Sequence, residues 1–158
     1  MSLPAPKDVH DLFEELLGRK ITVSLTDPMK AADTNRAMVA LYQDESQRMT
    51  AVAGLDLTLA VYLGAALGLI PVGGAQDSID EGKLFPNIAE NVTEVCNVMV
   101  GLFNGRGAAH VRMFQRFLPG EGVPTDATNL LTALGRRLDL MIEVSGYGGG
   151  KLSLSRLF

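Results

Sequence analysis

Two spacings of apolar residues alternate along this chain. Val9, Leu12, Phe13, Leu16 and Leu17 recur at three and four within residues 7–17, predicting an amphipathic helix that Gly18 ends. Ile21, Val23 and Leu25 then alternate with Thr22, Ser24 and Thr26, the period of a half-buried strand. Residues 27–35 hold a proline among polar side chains and predict a turn or loop. Residues 37–42 and 49–54 predict two strands joined by a charged turn at 44–48. Asp56 is placed to cap a helix over 57–69 that is apolar nearly all round, so it should be buried or covered by a partner. Residues 71–75 (PVGGA) break the chain, and 76–84 predict a polar connector with room for a short helical turn.

The stretch 85–104, FPNIAENVTEVCNVMVGLFN, carries the clearest pattern. Pro86 suits the start of a helix. At about 100° per residue, Ile88, Val92, Val95, Met99, Leu102 and Phe103 form a core stripe. Glu90, Glu94, Asn97, Gly101 and Asn104 fall together on the opposite side. Glu94 and Asn97 are three apart, so both can reach one object, and Gly101 one turn on leaves room for another surface to approach. This face reads either as a docking and reaction surface or as an ordinary solvated one.

After a loop at 104–108, residues 110–117 predict a strand in which Val111, Met113 and Gln115 alternate with Arg112 and Arg116. Residues 119–124 predict a loop, and 125–134 a short helix or irregular segment. Residues 138–144 and 152–158 predict closing strands joined by a glycine-rich turn at 146–150. The fold class this order implies is α/β of the α+β type, an antiparallel sheet with two long central helices packed on one face. Residues 1–8 are expected as a flexible tail and 9–158 as a single domain.

Composition narrows the function. A net charge of −4 and scattered Arg106, Arg112 and Arg116 argue against nucleic acid. One cysteine excludes an internal disulfide and a multi-thiolate metal site; Cys96, at the edge of the apolar stripe, should be packed and unreactive. His10 and His110 are isolated, so no metal of the zinc type is expected. The glycine-rich run SGYGGGKL at 145–152 misses the phosphate-loop spacing and carries Leu152 where Ser or Thr is required. No secretory leader pattern opens the chain and the longest apolar run, 57–73, falls short of the ~20 residues of a membrane span, so a cytoplasmic protein without membrane insertion is expected.

With these set aside, the order of elements, the apolar helix after a hairpin and the later Glu-x-x-Asn, Glu94 and Asn97 in ENVTEVCN, resemble the CheC/CheX/FliY family of chemotaxis phosphatases, with CheX the nearest member type. Pro119, 22 positions after Asn97, adds to the likeness. The resemblance implies hydrolysis of the aspartyl phosphate of a CheY-like response regulator, with Asn97 orienting the attacking water and Glu94 anchoring the partner. Glu90 and Gly101 would border the contact. The protein would need no cofactor of its own, since the regulator brings its Mg2+. A homodimer is also implied, with the helix at 57–69 and the C-terminal hairpin as candidate interfaces. Ala60 and Leu63 stand where a two-site member would carry its other Glu and Asn, which leaves one site per chain. Glu90 replaces the Asp or Ser usual four residues before the glutamate. That departure keeps two alternatives in view, a catalytically silent module that binds a regulator and an oligomerisation domain.

Overall fold

The computed structural model describes residues 3–104 and 110–157. Its helices are α1 (Pro6–Leu17), α2 (Leu57–Leu67), α3 (Val72–Asp80), α4 (Pro86–Val98), α5 (Val100–Phe103) and α6 (Thr125–Thr132). Its strands are β1 (Ile21–Leu25), β2 (Met38–Asp44), β3 (Met49–Leu55), β4 (Val111–Phe117), β5 (Arg137–Val144) and β6 (Gly148–Arg156). All six pair antiparallel in one sheet, ordered β1-β5-β6-β3-β2-β4. The expected α+β architecture is the observed one.

Alternation along the strands builds two cores. Met38, Ala40, Tyr42, Ala51, Ala53, Leu55, Leu140, Ile142, Leu152 and Leu154 face α1, α2 and α4 in the main core. Val39, Leu41 and Val52 face the other way, against Met29, Ala37 and the α6 residues Ala127 and Leu131. The long helices therefore share one face, as expected, and α6 with a 3-10 turn at Ala31–Arg36 adds a smaller core on the other. That turn occupies the second half of the expected loop at 27–35 and ends one residue past it. Beside the smaller core, buried Asp139 takes two 2.8 Å bonds from Arg137 and a 2.6 Å bond from Ser153. Arg137 also donates to the Leu131 and Ala133 carbonyls, tying the end of α6 to the sheet.

Helix α2 lies at the centre. Asp56 caps it as predicted: one carboxylate oxygen accepts Leu59 N–H at 3.0 Å and the other accepts Lys151 N–H of β6 at 2.9 Å. The close approach explains the glycines of the hairpin. A Cβ on Gly150 would sit 2.5 Å from Asp56 Oδ1, and one on Gly148 would sit 2.8 Å from the Tyr62 ring. Gly148–Gly150 thus belong to β6, and the connection they were expected to form is confined to the residues just before them. Leu59, Ala60, Val61, Leu63, Gly64, Ala65 and Ala66 are buried within the chain. Most of this helix is covered within the chain, with exposure confined to its C-terminal end at Gly68 and Leu69. The β5–β6 hairpin is interior to the sheet as well, the edges being β1 and β4.

Two local expectations change. The connector at 76–84 is largely helix: α3 opens at Val72 behind Pro71 and runs to Asp80. Its polar sequence concealed it, because only Ala75 and Ser78 are buried, and Ser78 bonds the following turn through Lys83 O and Phe85 N–H. In β4 a register shift between Leu41 and Tyr42 reverses the alternation partway along. Met113 pairs with Tyr42 on the helix side, but so does Arg116 with Ala40, while Phe117 pairs with Val39.

Against α2 lies α4, and the contact is backbone to backbone. A Cβ on Gly64 would lie 2.5 Å from the Ile88 carbonyl oxygen. Asn91 donates to Gly64 O at 3.1 Å. Gly64→Ala should gain about 1 kcal/mol of helix propensity and still lose roughly 1–3 kcal/mol net through overpacking, read as a lower urea midpoint. An unchanged midpoint would mean that the helices separate freely. On α1, His10 bonds Asp11 and Glu14, each at 2.9 Å, and the Asp11 bond leads in raising its pKa above 6.5. The folded state holds this proton more tightly than the unfolded chain does, so the stabilisation is complete below about pH 6.5 and fades as pH rises through the raised folded value. His10→Gln should flatten the dependence of Tm on pH across that window.

Candidate functional site

The geometry of α4 follows from how its other faces are used. Pro86 occupies the first turn behind extended Phe85. Ile88, Ala89, Val92, Val95 and Cys96 are buried, and the stripe continues through Met99 and Phe103, with Leu102 only half-buried. The long helix expected over 85–104 is divided: α4 ends at Val98, Met99 forms a tight turn, and α5 finishes the segment. Tyr42 fixes one flank by donating to Cys96 O at 2.6 Å. Its ring meets Phe103 with centroids 5.0 Å apart. Asn91 fixes the other flank against α2.

What remains is the predicted face. Glu90, Glu94, Asn97 and Gly101 are all exposed on one side of α4 and α5. A Cβ on Gly101 would meet nothing within 4 Å. Among the described residues, no hydrogen bond or ion pair engages the Glu94 or Asn97 side chain. A carboxylate and a carboxamide thus stand one helical step apart with their bonding capacity unused, able to hold a cation and orient a small polar molecule together. Asn104, counted on this face from the sequence, turns away and exchanges two bonds with the Val111 backbone.

The remaining candidates separate from this face. Ala60 and Leu63 are fully buried, so those positions form no surface. Pro119 lines a cavity of about 650 Å³ with Met29, Asp33, Arg36, Asp56 and Lys151, and no α4 residue reaches it. His10 sits in the α1 ion pairs, and no three His, Cys, Asp or Glu side chains gather as a metal site among the described residues. No described helix is long and apolar enough to cross a membrane. Arg106 lies outside the described residues.

One residue near α4 was missed. The bulge in β4 turns Arg116 toward the helices, near enough to Cys96 for its charge to oppose the rise in the thiol pKa. Strict alternation placed Arg116 outside, and no sequence signal marks the bulge.

Comparison with solved structures identifies the architecture. The FliM middle domain of Vibrio alginolyticus superposes with a TM-score of 0.59 at 12% identity, over 94% of this chain and 86% of that one. A chain of the FliG–FliM complex from H. pylori gives 0.57 at 9%, over 96% and 85%. A chemotactic CheC-like protein from Shewanella oneidensis gives 0.50 at 16%, over 94% and 90%. The chain has the fold of the CheC/CheX/FliY family. FliM middle domains share it, and no single member type, CheX included, stands out at these identities. No protein-family model matches the sequence, and no curated protein matches it.

Cys96 has no part in this surface. Burial raises its thiol to about 12, so it is protonated at neutral pH. Iodoacetamide should leave it untouched in the native protein and label it fully in denaturant; rapid native labelling would show that α4 opens.

Proposed function

We propose that the exposed face of α4 docks a CheY-like response regulator and that Asn97 promotes hydrolysis of its aspartyl phosphate. The observation that carries this reading is the pair Glu94 and Asn97, exposed and unengaged by other described residues on a helix whose remaining faces are locked. Attack of water on an acyl phosphate is a problem of positioning and electrostatics. A carboxamide suits it, accepting from the water and donating to a phosphoryl oxygen without repelling either. Glu94, one step back, pairs with a cationic residue of the regulator and sets the register of insertion. Glu90 lengthens the acidic edge, and Gly101 admits the partner's backbone. The regulator supplies the electrophile and its Mg2+, so no cofactor belongs to this chain. The cytoplasm follows from this partner.

A second reading is a docking module without hydrolysis. Two observations favour it: FliM middle domains give the higher TM-scores, and Glu90 stands where phosphatases of the family usually have Asp or Ser. Neither reading requires the implied homodimer.

Phosphate release from regulators of the source organism, charged with a small phosphodonor, separates the two. Asn97→Ala should slow stimulated release by roughly 10²–10³ while binding is kept, the effect of losing one positioned polar group. Binding without any acceleration by the wild type would establish the silent module. Glu94→Lys should abolish binding in both cases, and intact binding in that variant would remove this face from either.

A further inference from the structure

The corner between α2 and α3 carries a residue that suits neither its conformation nor its surroundings. Helix α2 ends with Ile70 N–H bonded to Ala65 O at 2.8 Å and Leu69 N–H to Ala66 O at 3.3 Å. This is the paired-bond ending whose left-handed position normally belongs to glycine. Here that position is Leu69, with φ +54°. A glycine is present one residue earlier, but Gly68 is held by α4: a Cβ there would run into the Asn91 carboxamide. The left-handed conformation falls on a leucine, and that leucine is 75% exposed. Val72, three residues on, is 50% exposed. An exposed leucine in a strained conformation gains nothing for the folded chain by itself, and strain of this kind concentrates where a surface is used.

The corner adjoins the α4 face. Gly68 abuts Asn91, and Asn91, Glu94 and Asn97 follow one another at steps of three along the helix surface. We propose that Leu69 and Val72 form the apolar half of the docking surface, contacting the same response regulator that Glu94 and Asn97 engage. The inference rests on the regulator-docking reading of α4. The matching patch on the regulator pairs an exposed apolar side chain with the basic residue that meets Glu94. The charged contact sets the register, and the apolar contact at Leu69 supplies desolvated area beside it.

The test uses Leu69→Gly, whose effects on stability and on binding should have opposite signs. Glycine relieves the left-handed strain, so Tm should rise by about 2–4 °C. Affinity for the regulator, held in its phosphorylated form with beryllofluoride and Mg2+, should fall roughly tenfold. Leu69→Asn, which tolerates the same backbone, should match it in affinity. Leu134→Ser, an exposed leucine just past α6, the helix packed on the other side of the sheet, should leave affinity unchanged. Unchanged affinity in Leu69→Gly, with Glu94→Lys still abolishing binding, overturns this inference and leaves the α4 reading standing. Loss of binding in Leu134→Ser as well would show general stickiness and overturn it too. So would a dimer that Leu69→Gly dissociates without altering regulator affinity, since the corner would then serve a second copy. A wild-type protein that binds no regulator removes both proposals together.

Discussion

The glycine contact between α2 and α4 is the constraint on which the arrangement depends. With no side chain at Gly64, the backbone of α4 reaches the backbone of α2 at Ile88, and Asn91 then bonds the Gly64 carbonyl. Helix α2, apolar on nearly every side, is enclosed between β6 and α4 and needs no partner chain to cover it. Enclosing α2 fixes the rotation of α4, because Ile88 and Asn91 must point to one helix while Cys96 and Tyr42 meet on the other flank. The remaining arc of α4 faces outward and holds Glu90, Glu94 and Asn97, with Gly101 of α5 exposed on the same side. The candidate site is thus a consequence of packing. Nothing on that arc is required by the core, which leaves its residue types free to answer to a partner.

Strain lies next to this contact. Gly68 lies against Asn91, and the end of α2 turns one residue later, at a leucine. A sequence tuned only for stability would place glycine at Leu69. Gln47 shares the left-handed conformation, but among the described residues Leu69 is the apolar side chain held in it, and it falls beside the surface that α4 presents.

Much of this was legible in the residues, for stated reasons. The two-faced pattern at 85–104 survives because that helix lies at the boundary between core and solvent, where burial imposes its period. The Asp56 cap and the alternating β1 are equally local signals. The failures were non-local. Helix α3 buries only Ala75 and Ser78, too few to print a period on its sequence. The glycines at 148–150 looked like a turn, yet their absent side chains make room for α2, which is distant in sequence. The bulge that swings Arg116 toward α4 depends on pairing with β2, and the exposed Leu69 was absorbed into an apolar run. Glu90, Glu94, Asn97 and Gly101 could be assembled from helical spacing alone because α4 carries the first three and α5 follows it after a single turn residue.

The account turns on which surface meets a regulator. The most direct measurement is the backbone amide NMR spectrum of this protein titrated with phosphorylated receiver domains of the source organism. The account predicts that shifts concentrate on residues 90–101 of α4 and α5 and on 68–72 at the α2–α3 corner, with β1, β5 and α6 unmoved. Shifts confined to the β4 edge or to the cavity lined by Pro119 and Lys151, or no shift with any receiver, would contradict it.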